Sequence, residues 1–157
     1  MKAVIQRVSS ASVDVDGKNV GSCEKGYMIL LGAENGDTEM EAELLARKTA
    51  NLRIFCDEND KMNLSILDID GEILCISQFT LLADVKKGNR PSFINALEPT
   101  EAKRIYEYFC KCLRDLGVKK VDEGIFGEDM KVSLVNDGPV TIVYDTDIWS
   151  KKNENNL

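Results

Sequence analysis

Two short segments carry the residues best suited to chemistry, and the first is Ser77-Gln78-Phe79-Thr80. It follows an apolar run at residues 73–76, so its hydroxyl and amide groups interrupt what would otherwise be a buried strand. Burying a polar group without a hydrogen-bond partner costs roughly 2–7 kcal/mol. Two interpretations are therefore open. Either Ser77 and Thr80 bond to neighbouring backbone, or the strand end directs N–H groups and hydroxyls into a pocket, where such donors stabilise an oxyanion.

The second segment is the corner Asn136-Asp137-Gly138-Pro139, which separates two β-type apolar runs at residues 132–135 and 140–144. Glycine accepts a positive φ, and proline fixes φ and donates no backbone hydrogen bond, so the segment predicts a strand, a corner and a second strand. An ordinary hairpin loop is the simplest interpretation. The bond before a proline is also the one place where a cis peptide costs only about 0.5–1 kcal/mol. Gly138–Pro139 could therefore present two carbonyl groups side by side.

The sequence contains no histidine, which restricts the chemistry more than any other feature of its composition. Ser-His and Cys-His nucleophile pairs are excluded, and so are the commonest general base and the commonest metal ligand. Catalysis would have to use backbone groups, carboxylates, lysine, hydroxyls or the substrate itself.

The sequence contains five cysteines, an odd number, with no Cys-x-x-Cys spacing, and several of them lie within apolar runs. We therefore expect reduced cysteines that are buried as small apolar side chains. No group of residues has the spacing of metal ligands, and the sequence predicts neither a metal nor another cofactor.

The net charge of −7 disfavours general affinity for nucleic acids, which depends on a basic surface. A local basic patch is still compatible with this negative net charge. The best candidate is Lys86-Lys87-Gly88-Asn89-Arg90, and Lys119-Lys120 and Lys151-Lys152 are weaker ones. For each, solvated surface charge is the simplest interpretation.

A length of 157 residues suits one domain, and the pattern of elements predicts an α+β fold in which a strand-rich sheet curls into a partial barrel. Two main helices are expected, one from Glu39 to Asn51 behind a Thr38/Glu41 capping box, and one opening at Pro99 and ending near Gly117. The predicted strands cover residues 3–15, 27–31, 52–56, 64–69, 72–81 and 118–121, besides the two beside the corner.

Turns and tails complete this prediction. Asp16-Gly17 should turn the first strand back toward Val20, and Asp70-Gly71 should pair residues 64–69 with 72–81. Residues 86–97 should be irregular, and the polar tail at 147–157 should be loosely ordered, with Trp149 docking it. The start of the chain has no signal-like apolar region and no run is long enough to span a bilayer, so a cytosolic protein is expected.

Four motifs in one order resemble the D-aminoacyl-tRNA deacylases: the opening Met1-Lys-Ala-Val-Ile-Gln-Arg7-Val, then Ser77-Gln-Phe-Thr80, Gly88-Asn-Arg-Pro-Ser-Phe93 and Asn136-Asp-Gly-Pro-Val-Thr141. The resemblance reaches from Met1 to about Asp145. It implies a homodimer of barrel-like α+β subunits that hydrolyses the ester joining a D-amino acid to the 3′ end of tRNA. Residues 1–146 would form that single domain, and 147–157 the tail.

The resemblance also implies roles for individual residues. Ser77, Gln78, Phe79 and Thr80 would line the catalytic pocket, with backbone N–H groups near Phe79 and Thr80 holding the oxyanion and the 2′-hydroxyl of the terminal tRNA ribose helping to activate water. Phe126 and Met130 would lie near the terminal adenosine. Between them stands Glu128, where the family more often has a small residue.

In the same family the Gly138–Pro139 bond would be cis and would reach into the partner subunit's pocket. Its carbonyl groups would accept hydrogen bonds from the amino group of a D-residue and leave no room for an L side chain. Arg7 would help to hold this corner, which begins at Asn136. The basic residues Lys86, Lys87 and Arg90 are the candidates for contact with the tRNA.

Three alternatives follow from the residues alone. Thr80 could act as a covalent nucleophile, although no general base is in sight. The chain could instead be a non-catalytic RNA-binding module that uses the loop from Lys86 to Arg90, although no aromatic residues lie between those lysines. Finally, both segments could serve only the turns and core of a structural dimer.

Overall fold

The longest strand of the first half of the chain, β1 (Lys2–Val15), organises the sheet because three other strands pair with it. In the computed structural model, which describes residues 1–150, β1 runs antiparallel to β2 (Lys18–Cys23), β3 (Gly26–Gly32) and β8 (Lys131–Asp145). The hairpin between β1 and β2 turns at Asp16 and Gly17, both with positive φ, as the sequence predicts.

The sheet continues from β3 with parallel pairing, so it is mixed. Strand β6 (Glu72–Ser77) runs parallel to β3, and β7 (Val121–Glu123) runs parallel to β6. At the far edge the Ser22 amide of β2 donates to the Asp122 carboxylate of β7 at 2.9 Å, which brings the two ends of the sheet together. The predicted curled, barrel-like α+β sheet is confirmed.

Two helices, α1 (Glu39–Ala50) and α2 (Pro99–Asp115), pack over the main core, as predicted. Helix α1 begins with the expected capping box, in which the Thr38 hydroxyl accepts from the Met40 amide at 3.2 Å and the Glu41 carboxylate accepts from the Thr38 amide at 2.7 Å. The core between helices and sheet is apolar and fully buried; its larger members include Ile5, Ile29, Leu45, Ile73 and Phe109.

The predicted pairing of residues 64–69 with 72–81 is wrong. Strand β5 (Met62–Ser65) pairs with β4 (Arg53–Cys56) in a separate two-stranded sheet, whereas β6 enters the main sheet. The turn at Asp70 and Gly71 therefore carries the chain from one sheet to the other. The physical reason lies in the apolar run at 73–76, which is buried throughout and suits the middle of a parallel sheet better than an edge hairpin.

The corner at Gly138–Pro139 is not a hairpin, so that interpretation is wrong. Strand β8 follows β1 along nearly its whole length, from Asp145 opposite Lys2 to Lys131 opposite Asp14. Two register shifts, between Gln6 and Val8 and between Val8 and Ser10, absorb the corner within one bent strand.

Two smaller corrections concern β7 and the cysteines, and the predicted tail is described only in part. Strand β7 begins only at Val121, since Gly117 and Val118 still donate to carbonyls of α2. Cys56 is exposed, whereas Cys23, Cys75 and Cys110 are buried as predicted. Trp149 docks as expected, with its ring 5.1 Å from that of Tyr144; the remainder of the predicted tail, including Lys151-Lys152, lies outside the described residues. No helix within residues 1–150 is long and apolar enough to cross a membrane.

Candidate active site

A cleft of about 580 Å³ opens where β6 ends and α2 begins. Ser77, Gln78 and Phe79 supply one wall, and the first two turns of α2 supply another. Phe126 and Met130, from the segment that leads into β8, close it on a third side. The structure thus brings two of the predicted groups, the Ser-Gln-Phe segment and the Phe126/Met130 pair, to the same cavity.

Local backbone structure explains why this strand end presents polar groups. The Gln78 amide makes the last bond to β3, donating to the Leu31 carbonyl at 2.7 Å, and the chain then tightens into a 3₁₀ turn at Phe79–Leu82. The first amides of a helical turn have no partner inside it. The N–H group of Phe79, which lines the cleft, and that of the neighbouring Thr80 are therefore available as donors for an oxyanion.

Thr80 occupies a different position from the other three residues of its segment. Its side chain is exposed, does not line the cleft and accepts a hydrogen bond from the Gln78 side-chain amide. No acid–base side chain contacts its hydroxyl within residues 1–150, so nothing there would activate it as a nucleophile.

Three titratable side chains line the cleft, Tyr106, Glu98 and Glu128, and the first two are committed to other bonds. The Tyr106 hydroxyl donates to the Cys75 carbonyl at 2.6 Å, and burial raises the pKa of this tyrosine well above its usual range. The Glu98 carboxylate accepts from the Thr100 and Glu101 amides at 2.9 and 3.1 Å, and these N–H groups lower its pKa. Glu98 therefore serves as the N-cap of α2, and neither group is placed as a general base.

Apolar groups form the deeper part of the cleft. The Phe126 ring lies 6.4 Å from that of Tyr106, and Met130 packs so closely over Gly124 that a Cβ there would lie 2.6 Å from its sulfur. Glu128 lies exposed at the rim. Within residues 1–150, no cluster of three or more His, Cys, Asp or Glu side chains could hold a metal ion.

The second predicted segment lies elsewhere. Gly138–Pro139 is a cis peptide, exposed on β8, and neither residue lines the cleft. Asn136, also exposed, pairs with Val8 at the register shift. The structure therefore separates the two segments that the sequence singled out.

Arg7 holds this corner in place through hydrogen bonds from its guanidinium group. The side chain is largely buried; its Nε donates to the Asp137 carbonyl at 3.0 Å and its Nη1 donates to the Ile54 carbonyl at 2.7 Å. The Asp137 carboxylate lies 3.8 Å from Nε and adds a weak ion pair. One guanidinium thus ties the corner of β8 to both β1 and β4.

The basic loop projects beside the cleft. Asp84 and Ser92 exchange backbone hydrogen bonds of 2.7 and 2.9 Å, which close the loop at its base. Lys86, Lys87 and Arg90 are exposed on it, and none of them forms an ion pair within residues 1–150.

Among the residues that line the cleft, Met1, Phe93 and Tyr106 had no predicted role in the site. Phe93 ends the Gly-Asn-Arg-Pro-Ser-Phe motif, and Tyr106 lies beside Ile105 on the buried face of α2, so each had a recognisable signal. Met1 is fully buried; its amino group donates to the Thr146 hydroxyl at 2.7 Å and pairs with the Asp37 carboxylate at 2.9 Å.

Comparisons with solved structures match this architecture. The structure of a c-Myc DNA Unwinding Element Binding Protein superposes with a TM-score of 0.87 at 44% identity, over 92% of this chain and 98% of that one. The structure of a probable eukaryotic D-amino acid tRNA deacylase superposes with a TM-score of 0.78, over 92% of this chain and 98% of that one. Because the two sequences are only 18% identical, this match supports the fold and nothing further.

Sequence comparisons agree with the family resemblance. A D-aminoacyl-tRNA deacylase of Geotalea uraniireducens is 58% identical over 146 residues, which cover 93% of this chain and 94% of that protein. One from Thermosipho melanesiensis is 53% identical over 93% of this chain and 97% of its own. The family model described as D-Tyr-tRNA(Tyr) deacylase matches residues 4–145. The chain therefore belongs to the D-Tyr-tRNA(Tyr) deacylase family.

Proposed function

We propose that the protein hydrolyses the ester bond of D-aminoacyl-tRNA and releases free D-amino acid and tRNA, a proofreading reaction of translation in the cytoplasm. The curated relatives that share more than half of its residues bear that name and are hydrolases. The observation that carries the proposal is the cleft at the end of β6, which is lined by Phe79, the first residue of the 3₁₀ turn at Phe79–Leu82. The deacylase domain is residues 1–146.

The reaction needs little from side chains. An aminoacyl ester is already activated, so positioning and oxyanion donors supply most of the rate. Water adds to the ester carbonyl, the bond to the ribose 3′-oxygen breaks and that oxygen takes a proton. The neighbouring 2′-hydroxyl can accept and donate that proton. Substrate assistance suits a chain without histidine, in which Tyr106 and Glu98 are committed to other bonds.

Selection for D-residues follows from the exposed corner. Gly138 and Pro139 lie outside their own subunit's cleft, so they can contact a substrate only in the cleft of a second copy. We therefore infer a homodimer in which each corner enters the partner's cleft, held in place by Arg7. Its carbonyls accept from the amino group of the D-residue, and its backbone excludes an L side chain. Val135 and Val143, on either side of the corner, are 56% and 70% exposed in the single subunit. Exposed apolar side chains of this kind are typical of a surface that becomes buried when subunits associate.

The test is multiple-turnover release of amino acid from matched D-tyrosyl-tRNA and L-tyrosyl-tRNA, with catalytic protein and no added metal. We expect rapid loss of the D-ester while the L-ester survives. Equal cleavage of both esters would contradict selection at Gly138–Pro139, and cleavage of neither would contradict the deacylase function.

A second candidate function is RNA binding without catalysis. It is favoured by one observation: Lys86, Lys87 and Arg90 are exposed on the loop beside the cleft and form no ion pair within the described part of the chain, residues 1–150. Phosphate contacts of this kind make binding sensitive to salt. Salt-sensitive tRNA binding without ester turnover would support this alternative. Binding to duplex DNA, by analogy with the name of the c-Myc DNA Unwinding Element Binding Protein, agrees poorly with a net charge of −7.

A further inference from the structure

Two aromatic rings at the mouth of the cleft have no role in the reaction proposed above. The rings of Phe79 and Phe93 meet edge to face, with centroids 5.1 Å apart and planes at 73°. Both stay exposed to solvent, by 54% for Phe79 and 37% for Phe93. Large aromatic side chains usually bury most of their surface, so an exposed pair beside a cleft indicates a binding surface.

The surroundings of this pair indicate the chemistry of its ligand. Phe93 follows Ser92 directly, at the base of the loop that carries Lys86, Lys87 and Arg90. These three cations are exposed and make no ion pair within residues 1–150, although the chain as a whole is acidic. Aromatic faces beside unpaired cations are the combination that binds single-stranded nucleic acids, through base stacking and phosphate contacts.

We propose that Phe93, supported by Phe79, stacks against the base of the nucleotide that precedes the terminal adenosine of the tRNA, while the loop at residues 86–90 contacts the adjoining phosphates. The inference rests on the proposed function and extends it, since it assigns a second nucleotide subsite at the rim of the cleft. The terminal adenosine enters the cleft itself. The chain of the 3′ end must then leave past the rim, where Phe93 lies.

A series of truncated substrates tests this subsite. The substrates are D-tyrosyl esters of adenosine, of the dinucleotide cytidylyl-adenosine and of full tRNA. We expect Phe93→Ala to lower kcat/KM by about tenfold on the dinucleotide and tRNA esters, because stacking of one base is worth that much in single-strand binding. The adenosine ester lacks that nucleotide, so its kcat/KM should fall clearly less than that of the two longer esters. Phe93→Tyr, which keeps an aromatic face, should restore activity on the longer substrates.

The matched control is Ile94→Ala. Ile94 is the next residue, is 75% exposed and offers no aromatic face, so its removal should leave all three rates unchanged. An equal loss on all three substrates in Phe93→Ala would mean that Phe93 only shapes the cleft. No loss on any of them would mean that nothing stacks there. A change in oligomeric mass would assign the pair to the subunit interface. Each of these three results overturns the proposal.

A binding measurement separates this inference from the proposed function. An uncharged oligonucleotide ending in CCA should bind the wild-type protein more tightly than it binds Phe93→Ala, whether or not any ester is hydrolysed. If the wild-type protein cleaves no ester yet shows this difference, the deacylase function fails and the subsite stands. If it cleaves the D-ester while both proteins bind the oligonucleotide equally, the deacylase function stands and the subsite fails.

Discussion

At the scale of single residues, Thr80 separates a substrate-assisted mechanism from a covalent one. Its side chain is exposed and, within residues 1–150, its hydroxyl hydrogen-bonds to the Gln78 side chain and to no acid–base group, so it is poorly placed to attack an ester. We expect Thr80→Ala to keep its rate on D-tyrosyl-tRNA within about tenfold of wild type. Single-turnover hydrolysis measures this rate. A loss of about a thousandfold, or a trapped acyl-enzyme in the wild-type protein, would show that Thr80 is the nucleophile.

Gly138 is the second residue whose identity should matter, for a steric reason. Its φ is +128°, and a Cβ there would lie 2.9 Å from Val140 Cγ2 and 3.0 Å from Arg7 Nη2. We expect Gly138→Ala to displace the corner, lowering the rate on D-tyrosyl-tRNA at least tenfold and narrowing the preference for D over L. The backbone strain alone should cost about 1–3 kcal/mol of unfolding free energy.

A control for Gly138→Ala is available in the same chain. Gly36 has a φ of +92°, but a Cβ there would meet nothing within 4 Å. Gly36→Ala should therefore carry a similar backbone penalty in thermal unfolding without any effect on chiral preference. If both variants kept the wild-type D/L ratio, the corner would have no part in selection.

At the scale of elements, the joint between β1, β4 and β8 depends on Arg7. Its guanidinium donates to carbonyls of Asp137 and Ile54 at once, a fork that a lysine ammonium cannot reproduce. Arg7→Lys should leave at least one buried carbonyl without a donor and lower the unfolding free energy by about 1–3 kcal/mol. It should also weaken the D/L preference, because the corner would no longer be fixed.

Chemical denaturation and the D/L rate ratio together check this prediction. Arg53→Lys is the matched control, since Arg53 also links two strands, through the Asn63 carbonyl at 2.9 Å, but is exposed. Arg53→Lys should change neither the unfolding free energy nor the D/L rate ratio appreciably. A stability loss in Arg7→Lys with an unchanged D/L ratio would limit Arg7 to a structural role.

Local patterns predicted the elements better than their pairing. The Thr38/Glu41 capping box and the Asp16-Gly17 turn are short-range signals, and the structure confirms both. Strand pairing depends on contacts between residues that are far apart in the sequence. The local pattern therefore predicts a hairpin for β6, although the unbroken apolar run of this strand suits the parallel sheet in which it lies. The bend of β8 was mistaken for a hairpin for the same reason, since glycine and proline mark a corner but not the partner strand.

The candidate site was predictable to a similar degree. The Ser-Gln-Phe-Thr and Asn-Asp-Gly-Pro motifs were found from their residues, and the first of them does end a strand at a cleft. The separation of the second motif from that cleft was not predictable from the local pattern, because glycine and proline mark a corner but not its position relative to distant parts of the chain. Phe93 was overlooked as a separate site because a single exposed aromatic residue has no periodicity.

At the scale of the whole molecule, function should depend on association of two copies. Val143 is 70% exposed on β8, opposite Val4 of β1. A charged side chain at this position should therefore destabilise an interface between subunits without destabilising the fold of the subunit. We expect Val143→Glu to be monomeric in sedimentation and to lose activity on D-tyrosyl-tRNA, with wild-type thermal stability at high dilution. Met40→Glu, on the outer side of α1 and 75% exposed, should behave as wild type. A fully active monomer would refute the cross-subunit corner.

Mixing two defective chains provides the most direct test of that arrangement. One chain carries Gly138→Ala, with an intact cleft but a displaced corner. The other carries Ala102→Trp, which fills the cleft from α2 but keeps its corner. In a mixed dimer, the intact cleft of the first chain receives the intact corner of the second. Random pairing of equal amounts makes half of the dimers mixed, each with one complete site, so co-refolding should restore about a quarter of wild-type activity. If each corner instead served its own subunit, no complete site could form, and the mixture would show only the mean activity of its two parents.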